Sequence, residues 1–258
     1  MKKYIILLSL FTISALFITG CKKEEKIVDE LEIIKNIGYI VVWVKNDSPP
    51  FAYYNKEKQL VGIDIELAKK IAQEIFESDS QNHIKFAIVT PQNRIAKLNS
   101  KEVDILVATL SVNNKRKMVM DFSLPYFITS QKVLIRKTSE IKNLKYFNKN
   151  GSLAVVMGTT GEKILNSLVP NAKIIGANTY LEEINYLANS KVDGVIGDDA
   201  ILSTFLTDDY KFLKHGYTKE FYSVAVRKND NSLKLLEYIN KAITTFLDEK
   251  NINLLTKM

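Results

Sequence analysis

The side chains that most often carry catalysis are sparse in this sequence. His83 and His215 are the only histidines, and neither has a Cys, His or carboxylate neighbour at the spacing of metal ligands. The segment 158–161, Gly-Thr-Thr-Gly, is too short for a dinucleotide-binding loop, and no phosphate-binding P-loop or G-x-S-x-G nucleophile motif occurs. We therefore predict no metal site, no cofactor and no enzymatic activity.

The one cysteine, Cys21, follows a leader. Residues 1–20 open with two lysines after Met1, continue as an apolar run and end in the small pair Thr19-Gly20. This layout resembles a bacterial lipoprotein signal, which implies cleavage before Cys21, acylation of its sulfur and an extracytoplasmic protein anchored to the membrane by lipid. Residues 21–30 are then a solvated tether. An uncleaved transmembrane anchor and a secreted protein with an incidental cysteine are the alternatives.

Composition indicates a globular protein with mild charge. The 258 residues are 46% hydrophobic, and 36 Lys and Arg against 29 Asp and Glu give +7. Without Lys2 and Lys3 of the leader, the remainder carries 34 − 29 = +5. Basic and acidic residues are interspersed, which argues against a nucleic-acid partner. The length allows one large domain or two of roughly 100 to 120 residues.

Apolar runs alternate with amphipathic stretches in the βαβ manner, which predicts an α/β fold. In 64–76 the apolar pairs recur every four residues, with Asp64 as the expected N-cap. The carboxyl ends of parallel strands face the ligand crevice, so a site is expected just after the strands that begin at 39, 103, 153 and 192. The predicted strands are 39–44, 84–89, 103–110, 133–137, 153–158, 192–197 and 221–227, and the predicted helices are 64–76, 92–98, 161–169, 180–189, 199–206 and 232–251.

One pattern occurs twice. Residues 97–105, KLNSKEVDI, reappear in outline at 186–195, YLANSKVDGV. Each copy reads as the end of a helix, a polar turn and a strand. The repetition predicts two lobes of similar construction.

Several ordered motifs resemble the extracellular amino-acid-binding proteins of ABC uptake systems. They are the segments 45–51, 61–68, 109–126, 158–160, 180–183 and 192–198. The resemblance implies a two-lobed, periplasmic-binding-protein-like (type II) fold with a two-strand hinge, a monomer that closes on its ligand, and an ABC permease as partner. It places lobe 1 at 31–127 plus 225–258, and lobe 2 at 128–224.

The resemblance also assigns residues to the ligand's amino acid group. Arg116 corresponds to the family's carboxylate-binding arginine, and Thr160 begins the helix whose backbone N–H groups face the same carboxylate. Asp198 corresponds to the acid that receives the ammonium, with the Thr109 carbonyl and the Ser111 hydroxyl as further acceptors. The alternatives are structural: Arg116 at the surface start of a helix, and Asp198, Thr160 and Ser111 as helix caps.

The resemblance further suggests an acidic ligand. Lys45 stands where many relatives have Asp, Arg94 matches the arginine that meets the side-chain carboxylate in the aspartate/glutamate subgroup, and Tyr180 matches a cleft tyrosine of that subgroup. With Arg116 and Asp198 the cleft would carry 3 − 1 = +2, which complements glutamate or aspartate. If Lys45 and Arg94 point into solvent, glutamine, asparagine or another polar amino acid is the better prediction. The alternative for Tyr180 is packing at the start of a helix.

Two other functions use the same clamp. Some relatives of this fold are cyclohexadienyl dehydratases, and Asp198 or a cleft glutamate would have to act there as the acid or base. A sensor or adhesin is the third class.

Overall fold

The computed structural model describes residues 29–79, 82–100, 102–213 and 215–250. The predicted signal and Cys21 lie outside these residues. None of the helices in the described ranges combines the length and apolarity that a membrane crossing requires.

Helices and strands alternate along the described chain. The helices are α1 (Glu30–Ile37), α2 (Ile63–Phe76), α3 (Arg94–Asn99), α4 (Asn114–Lys117), α5 (Thr160–Leu168), α6 (Tyr180–Ala188), α7 (Asp199–Leu202) and α8 (Leu233–Glu249). The strands are β1 (Ile40–Val44), β2 (Asp47–Ser48), β3 (Ala52–Tyr54), β4 (Leu60–Val61), β5 (Ile84–Ile88), β6 (Ile105–Leu106), β7 (Met120–Thr129), β8 (Gln131–Arg136), β9 (Ser152–Val156), β10 (Lys173–Ala177), β11 (Gly194–Asp198), β12 (Tyr210–Phe212) and β13 (Glu220–Arg227).

The described strands form two five-stranded sheets of matching design and a small third sheet. The first sheet has the order β5-β1-β6-β13-β7 and the second β10-β9-β11-β8-β12. In each, a central strand, β1 or β9, is flanked by two parallel neighbours, and each of the last two strands in the order runs antiparallel to the strand before it. The sheets are therefore mixed rather than wholly parallel.

The repeated sequence pattern corresponds to one structural device in both sheets. The Asp104 carboxylate accepts the Val41 N–H of β1 at 2.7 Å, and the Asp193 carboxylate accepts the Ser152 N–H of β9 at 2.8 Å. Asp104 thus links the turn before β6 to the start of the central strand β1, and Asp193 links the turn before β11 to the start of the central strand β9. The predicted likeness of the two lobes is confirmed at this level of construction.

Side chains on alternate faces of the strands enter different parts of the core. Val42 and Val44 join a buried cluster that contains residues of α2 and α8, whereas Trp43 joins a separate cluster with Leu98 and Met120. The period of two along β1 produces this division, because successive side chains point to opposite faces. The helices therefore cover both faces of the sheet and position its carboxyl edge.

The chain passes from the first sheet to the second at Ser130, between β7 and β8, and returns between β12 and β13. β7 and β13 pair along most of their length, with register shifts near Tyr222 and Ser223. These are the two crossing segments expected of the hinge. The lobe limits 31–127 plus 225–258 and 128–224 remain predictions.

Two of the predicted elements need correction. The strand predicted at 103–110 is paired only at Ile105–Leu106, because the following residues turn and Thr109 has a left-handed φ of 46°. The apolar run there reflects burial rather than strand length. The helix predicted at 199–206 is α-helical only to Leu202 and continues as a 3₁₀ turn.

Asp64 is not an N-cap. α2 begins at Ile63, and Gly62 occupies the cap position with φ 123°. A Cβ at Gly62 would lie 2.2 Å from the Phe51 carbonyl oxygen, so only glycine fits this approach. Asp64 lies inside the first turn, and its side chain is fully buried.

Helix α1 was not expected from the sequence. Asp29 caps it by accepting the Leu31 N–H at 2.9 Å. Glu30, the last residue of the predicted tether, is the first residue of this helix and pairs with Arg227 at 2.9 Å. Helix α1 thus begins at the end of the range predicted as a tether.

Candidate functional site

The predicted site residues converge between the two sheets. Lys45 follows β1, Thr109 and Ser111 follow β6, Thr160 begins α5 just after β9, and Asp198 ends β11. Arg94 and Arg116 lie in α3 and α4, and Tyr180 begins α6. All are buried except Thr160, which is partly exposed. The carboxyl edges of both sheets therefore meet at one site.

Lys45 already has an internal counter-ion. Its ammonium lies 3.2 Å from the Asp47 carboxylate and donates to the Ser48 hydroxyl. It also lies 4.5 Å from the centre of the Tyr180 ring, across the gap between the sheets. Burial lowers the pKa of Lys45, and the nearby Asp47 carboxylate opposes that change. The solvent-facing alternative for Lys45 is wrong, because the side chain is 1% exposed.

Arg94 is also buried and holds the turn after β6. Its Nη1 donates to the Ala108 carbonyl at 2.7 Å and to the Thr109 carbonyl at 3.5 Å. Its Nε has no hydrogen-bond partner among the described residues. Burial lowers the pKa of Arg94, with Tyr180 and Asp198 opposing the change. A buried unpartnered N–H is a ready donor to a ligand oxygen.

Arg116 spans the gap between the sheets. Its Nη1 donates to the Ser111 carbonyl at 2.6 Å, and its Nη2 donates to the Gly158 carbonyl at 3.5 Å. Burial lowers the pKa of Arg116 to about 9, and the neighbouring positive charge of Arg94 adds to this effect. Its Nε is without a partner in the described part of the chain. Arg116 is therefore not the surface residue of the alternative interpretation.

Asp198 receives two side-chain donors from its own lobe. Gln131 Nε2 donates to it at 2.8 Å and the Tyr180 hydroxyl at 3.2 Å. Burial raises its pKa to about 7, and the Glu220 carboxylate contributes in the same direction. Asp198 stands at the N-cap position of α7, but its side chain makes no capping hydrogen bond. The helix-cap alternative does not account for its contacts.

Glu220 was missed by the sequence reading, yet it lies at the centre of the site. It accepts hydrogen bonds from the hydroxyls of Ser111, Thr160 at 2.6 Å and Thr218 at 3.1 Å. The Ser111 proton is thus directed to Glu220, which leaves the lone pairs of that hydroxyl to accept from a ligand. Ser111 caps no helix, and Thr159 rather than Thr160 is the cap of α5.

Other contributors to the site also escaped the sequence reading. Gln131 orients Asp198, Asp47 neutralises Lys45, and Asp64 binds the backbone of Thr109. Asp47 and Asp64 lie inside the segments 45–51 and 61–68, which resemble motifs of the family. Gln131 and Glu220 carry no pattern in the sequence that marks them, because only the hinge brings them beside the strand ends.

The added carboxylates change the charge of the site. Lys45, Arg94 and Arg116 face five acids rather than one, which gives 3 − 5 = −2 when all are ionised, and the acids are Asp47, Asp64, Glu183, Asp198 and Glu220. The sequence-based count of +2 was incomplete. In the described ranges, no group of three or more His, Cys, Asp or Glu is arranged to hold a metal ion.

The two lobes are in contact across the site. A Cβ at Gly158 of the second lobe would lie 2.7 Å from the Pro91 carbonyl oxygen of the first. A cavity of about 400 Å³ adjoins the site and is lined in part by Thr160, Lys163 and Glu220. The two lobes are therefore in a closed arrangement.

Comparison with known proteins identifies the family of this two-lobed protein. The model of the bacterial extracellular solute-binding proteins, family 3, matches residues 40–257. The chain belongs to this family. It is 31% identical over 237 residues to the glutamine-binding protein GlnH of Bacillus subtilis, covering 88% of this chain and 86% of GlnH. It is 27% identical over 216 residues to the glutamate/aspartate import solute-binding protein of Escherichia coli, covering 80% of this chain and 71% of that protein.

Solved structures of amino-acid-binding proteins share the fold. A mutant of ArgBP from T. maritima has a TM-score of 0.78 at 28% identity, covering 87% of this chain and 96% of that one. The ancestral amino acid-binding protein AncCDT-1, a precursor of cyclohexadienyl dehydratase, has a TM-score of 0.79 at 26% identity, covering 86% and 95%. The fold is the two-lobed type II fold of periplasmic binding proteins. The protein is a solute-binding protein of an amino acid ABC transporter.

Proposed function

We propose that this protein captures glutamine, and less tightly glutamate, outside the cell and presents it to an ABC permease. The ion pair between the buried Lys45 ammonium and the partly exposed Asp47 carboxylate, at 3.2 Å, supports this choice of ligand. The proposal includes a lipid anchor at Cys21, a monomeric receptor and no chemical change to the ligand.

Arg116 and Asp198 support recognition of the amino acid group common to all such ligands. Arg116 offers a buried guanidinium with an unpartnered Nε, which suits a carboxylate. Asp198 offers a buried carboxylate, which suits an ammonium group. The partly exposed Thr160, at the first turn of α5, adds free backbone N–H groups beside Arg116.

The charges around the side-chain end favour a neutral ligand. Asp47 satisfies the charge of Lys45, so a ligand carboxylate is not needed to pair it. The five acids outnumber the three cations when all are ionised, and a second ligand carboxylate would add to the negative charge. The glutamine-binding relative with 31% identity points in the same direction.

Arg94 favours glutamate or aspartate as the second candidate. Its buried Nε lacks a partner in the described chain, and a carboxylate would pair with it more strongly than an amide would. The glutamate/aspartate import relative agrees with this alternative. Arginine and lysine are disfavoured, because the Lys45 ammonium would face a second buried cation.

The decisive experiment is isothermal titration calorimetry of the body without its leader against the common amino acids, after any co-purified ligand is removed by unfolding and refolding. We expect glutamine to bind at least about tenfold more tightly than glutamate, which corresponds to about 1.4 kcal/mol. A tighter complex with glutamate or aspartate would establish the second candidate instead. Binding of none of the amino acids would refute the proposal.

Substitution of Arg94 tests how the ligand side chain is held. Arg94→Ala should weaken glutamate binding by about tenfold or more and glutamine binding by less, because a charged acceptor loses more than a neutral one. Arg94→Lys keeps the charge and serves as the matched control. The measurement is again the dissociation constant of each ligand by calorimetry. Equal losses for both ligands would show that Arg94 acts only by holding the Ala108–Thr109 turn.

Incubation with a cyclohexadienyl substrate tests the enzymatic alternative, which the structural likeness to AncCDT-1 makes worth measuring. We expect no aromatic product to form.

Mass spectrometry of the full chain from a membrane fraction tests the lipid, which should be found on Cys21. A full chain that leaves the membrane without detergent would contradict the anchor.

A further inference from the structure

The Asp64 carboxylate has a buried position that ligand contact does not explain. The side chain lies in the first turn of α2 and is 0% exposed. It accepts the Thr109 N–H at 3.1 Å and the Tyr126 hydroxyl at 2.8 Å. One carboxylate therefore joins α2, the turn after β6 and strand β7.

Thr109 needs such a tether because of its backbone. Its φ is 46°, in the left-handed region, which a β-branched residue rarely adopts. A conformation of this kind persists only when the surroundings hold it, and it is typical of functional sites. The bond from the Thr109 N–H to Asp64 supplies part of that hold.

The conformation of Thr109 also sets the direction of its carbonyl. The Thr109 oxygen lies 3.5 Å from Arg94 Nη1, next to the Ala108 oxygen at 2.7 Å from the same atom. Ser111, whose hydroxyl reaches Glu220, is two residues further along. A turn of Thr109 back to an extended conformation would move both acceptors away from the site.

We propose that Asp64 is a positioning residue for ligand capture: it holds Thr109 in the left-handed conformation and so aims the Thr109 carbonyl at the ligand's amino group. This inference rests on the proposed function, since it assumes an amino acid in the cleft. It assigns Asp64 a geometric role, in contrast to a purely electrostatic one through its nearby cations Lys45 and Arg94.

Two substitutions at Asp64 separate geometry from charge. Asp64→Ala removes the acceptor of both hydrogen bonds, and loss of the bond to the Thr109 N–H should weaken glutamine binding about tenfold. Asp64→Asn removes the charge but keeps an oxygen for the Thr109 N–H, and its amide can donate to the Tyr126 oxygen. It should therefore recover most of the affinity that Asp64→Ala loses. Equal weakening by both variants would overturn the geometric role.

A double-mutant cycle with Thr109→Gly tests the route through Thr109. Glycine adopts a left-handed φ without a side-chain penalty, so it does not need the tether. The glutamine affinity of the double variant should therefore lie within about threefold of the affinity of the Thr109→Gly single variant. A further tenfold loss in the double variant would overturn the inference.

Tyr126→Phe is the matched control. It removes the other donor to Asp64 but leaves the bond to Thr109, and glutamine affinity should stay within about threefold of the parent protein. Thermal melts identify any variant that fails to fold. If Asp64→Ala fails to fold, a change of more than about threefold in the glutamine affinity of Tyr126→Phe still overturns the inference. If the parent protein binds no amino acid, the proposed function fails; if it binds and Asp64→Ala binds equally well, only the inference fails.

Discussion

At the scale of single residues, the site is a set of buried charges whose environments differ. Asp198 is fully enclosed, and burial with the nearby Glu220 raises its pKa to about 7. Lys45 keeps a counter-ion in Asp47. A ligand ammonium beside Asp198 requires the ionised carboxylate, so ligand binding and proton release are coupled there.

Ligand affinity should therefore rise with pH. Between about pH 6.5 and 8 the ionised fraction of a group with a pKa of about 7 increases about fourfold, and glutamine should bind about fourfold more tightly at the upper pH. This range lies above the pKa of about 6 to which burial raises Asp64 and below the pKa of about 9 of Arg116. Calorimetry in two buffers of different ionisation enthalpy measures the protons released. Asp198→Asn should bind weakly and without this dependence, and an affinity of the parent protein that is flat with pH would contradict the coupling.

At the scale of elements, the two sheets use the same device to attach a turn to a central strand. The repeated pattern in the sequence indicated a helix end, a turn and a strand in each copy, and the structure confirms all three. What the pattern did not contain is the partner of each aspartate. Val41 and Ser152 lie far along the chain from Asp104 and Asp193, and only strand pairing brings them together.

Removal of the acceptor in the first sheet should destabilise the fold. Asp104→Ala leaves the Val41 N–H without its side-chain acceptor and should lower the free energy of unfolding by about 1 to 3 kcal/mol. Asp104→Asn keeps an oxygen acceptor and is the matched control, with a smaller loss. Urea denaturation followed by circular dichroism measures both. An Asp104→Ala protein as stable as the parent would show that the bond contributes nothing net.

At the scale of the whole molecule, closure depends on how near the two lobes can approach. Gly158 has φ 78°, and a Cβ there would lie 2.7 Å from the Pro91 carbonyl oxygen of the opposite lobe. Arg116 also reaches across to the Gly158 carbonyl at 3.5 Å. Because Gly158 has no side chain, the backbone of the second lobe can approach the Pro91 backbone of the first lobe closely.

Gly158→Ala should hold the lobes apart. We expect a larger radius of gyration by small-angle X-ray scattering in the presence of ligand, and a glutamine affinity at least about tenfold weaker, because the closed state becomes costly. Gly38→Ala is the matched control: Gly38 has a similar φ of 85°, but a Cβ there meets nothing within 4 Å. Gly38→Ala should strain the backbone in the same way as Gly158→Ala but leave the closure of the lobes unchanged. A Gly158→Ala protein that closes and binds like the Gly38→Ala protein would contradict this explanation.

From the sequence alone, the apolar periodicity located most helices and strands, and ordered motifs singled out eight residues that the fold then brought to one site. Such features are local, since a strand or a helix start depends on residues close to it in the chain. The mixed direction of the strands, the short β6 and the small sheet of β2–β4 were decided by tertiary pairing. So was much of the balance of charge: Asp47 is close to Lys45 along the chain, but Asp64 and Glu220 reach the cations only through the fold. Electrostatic interaction depends on distance in space rather than on separation along the chain.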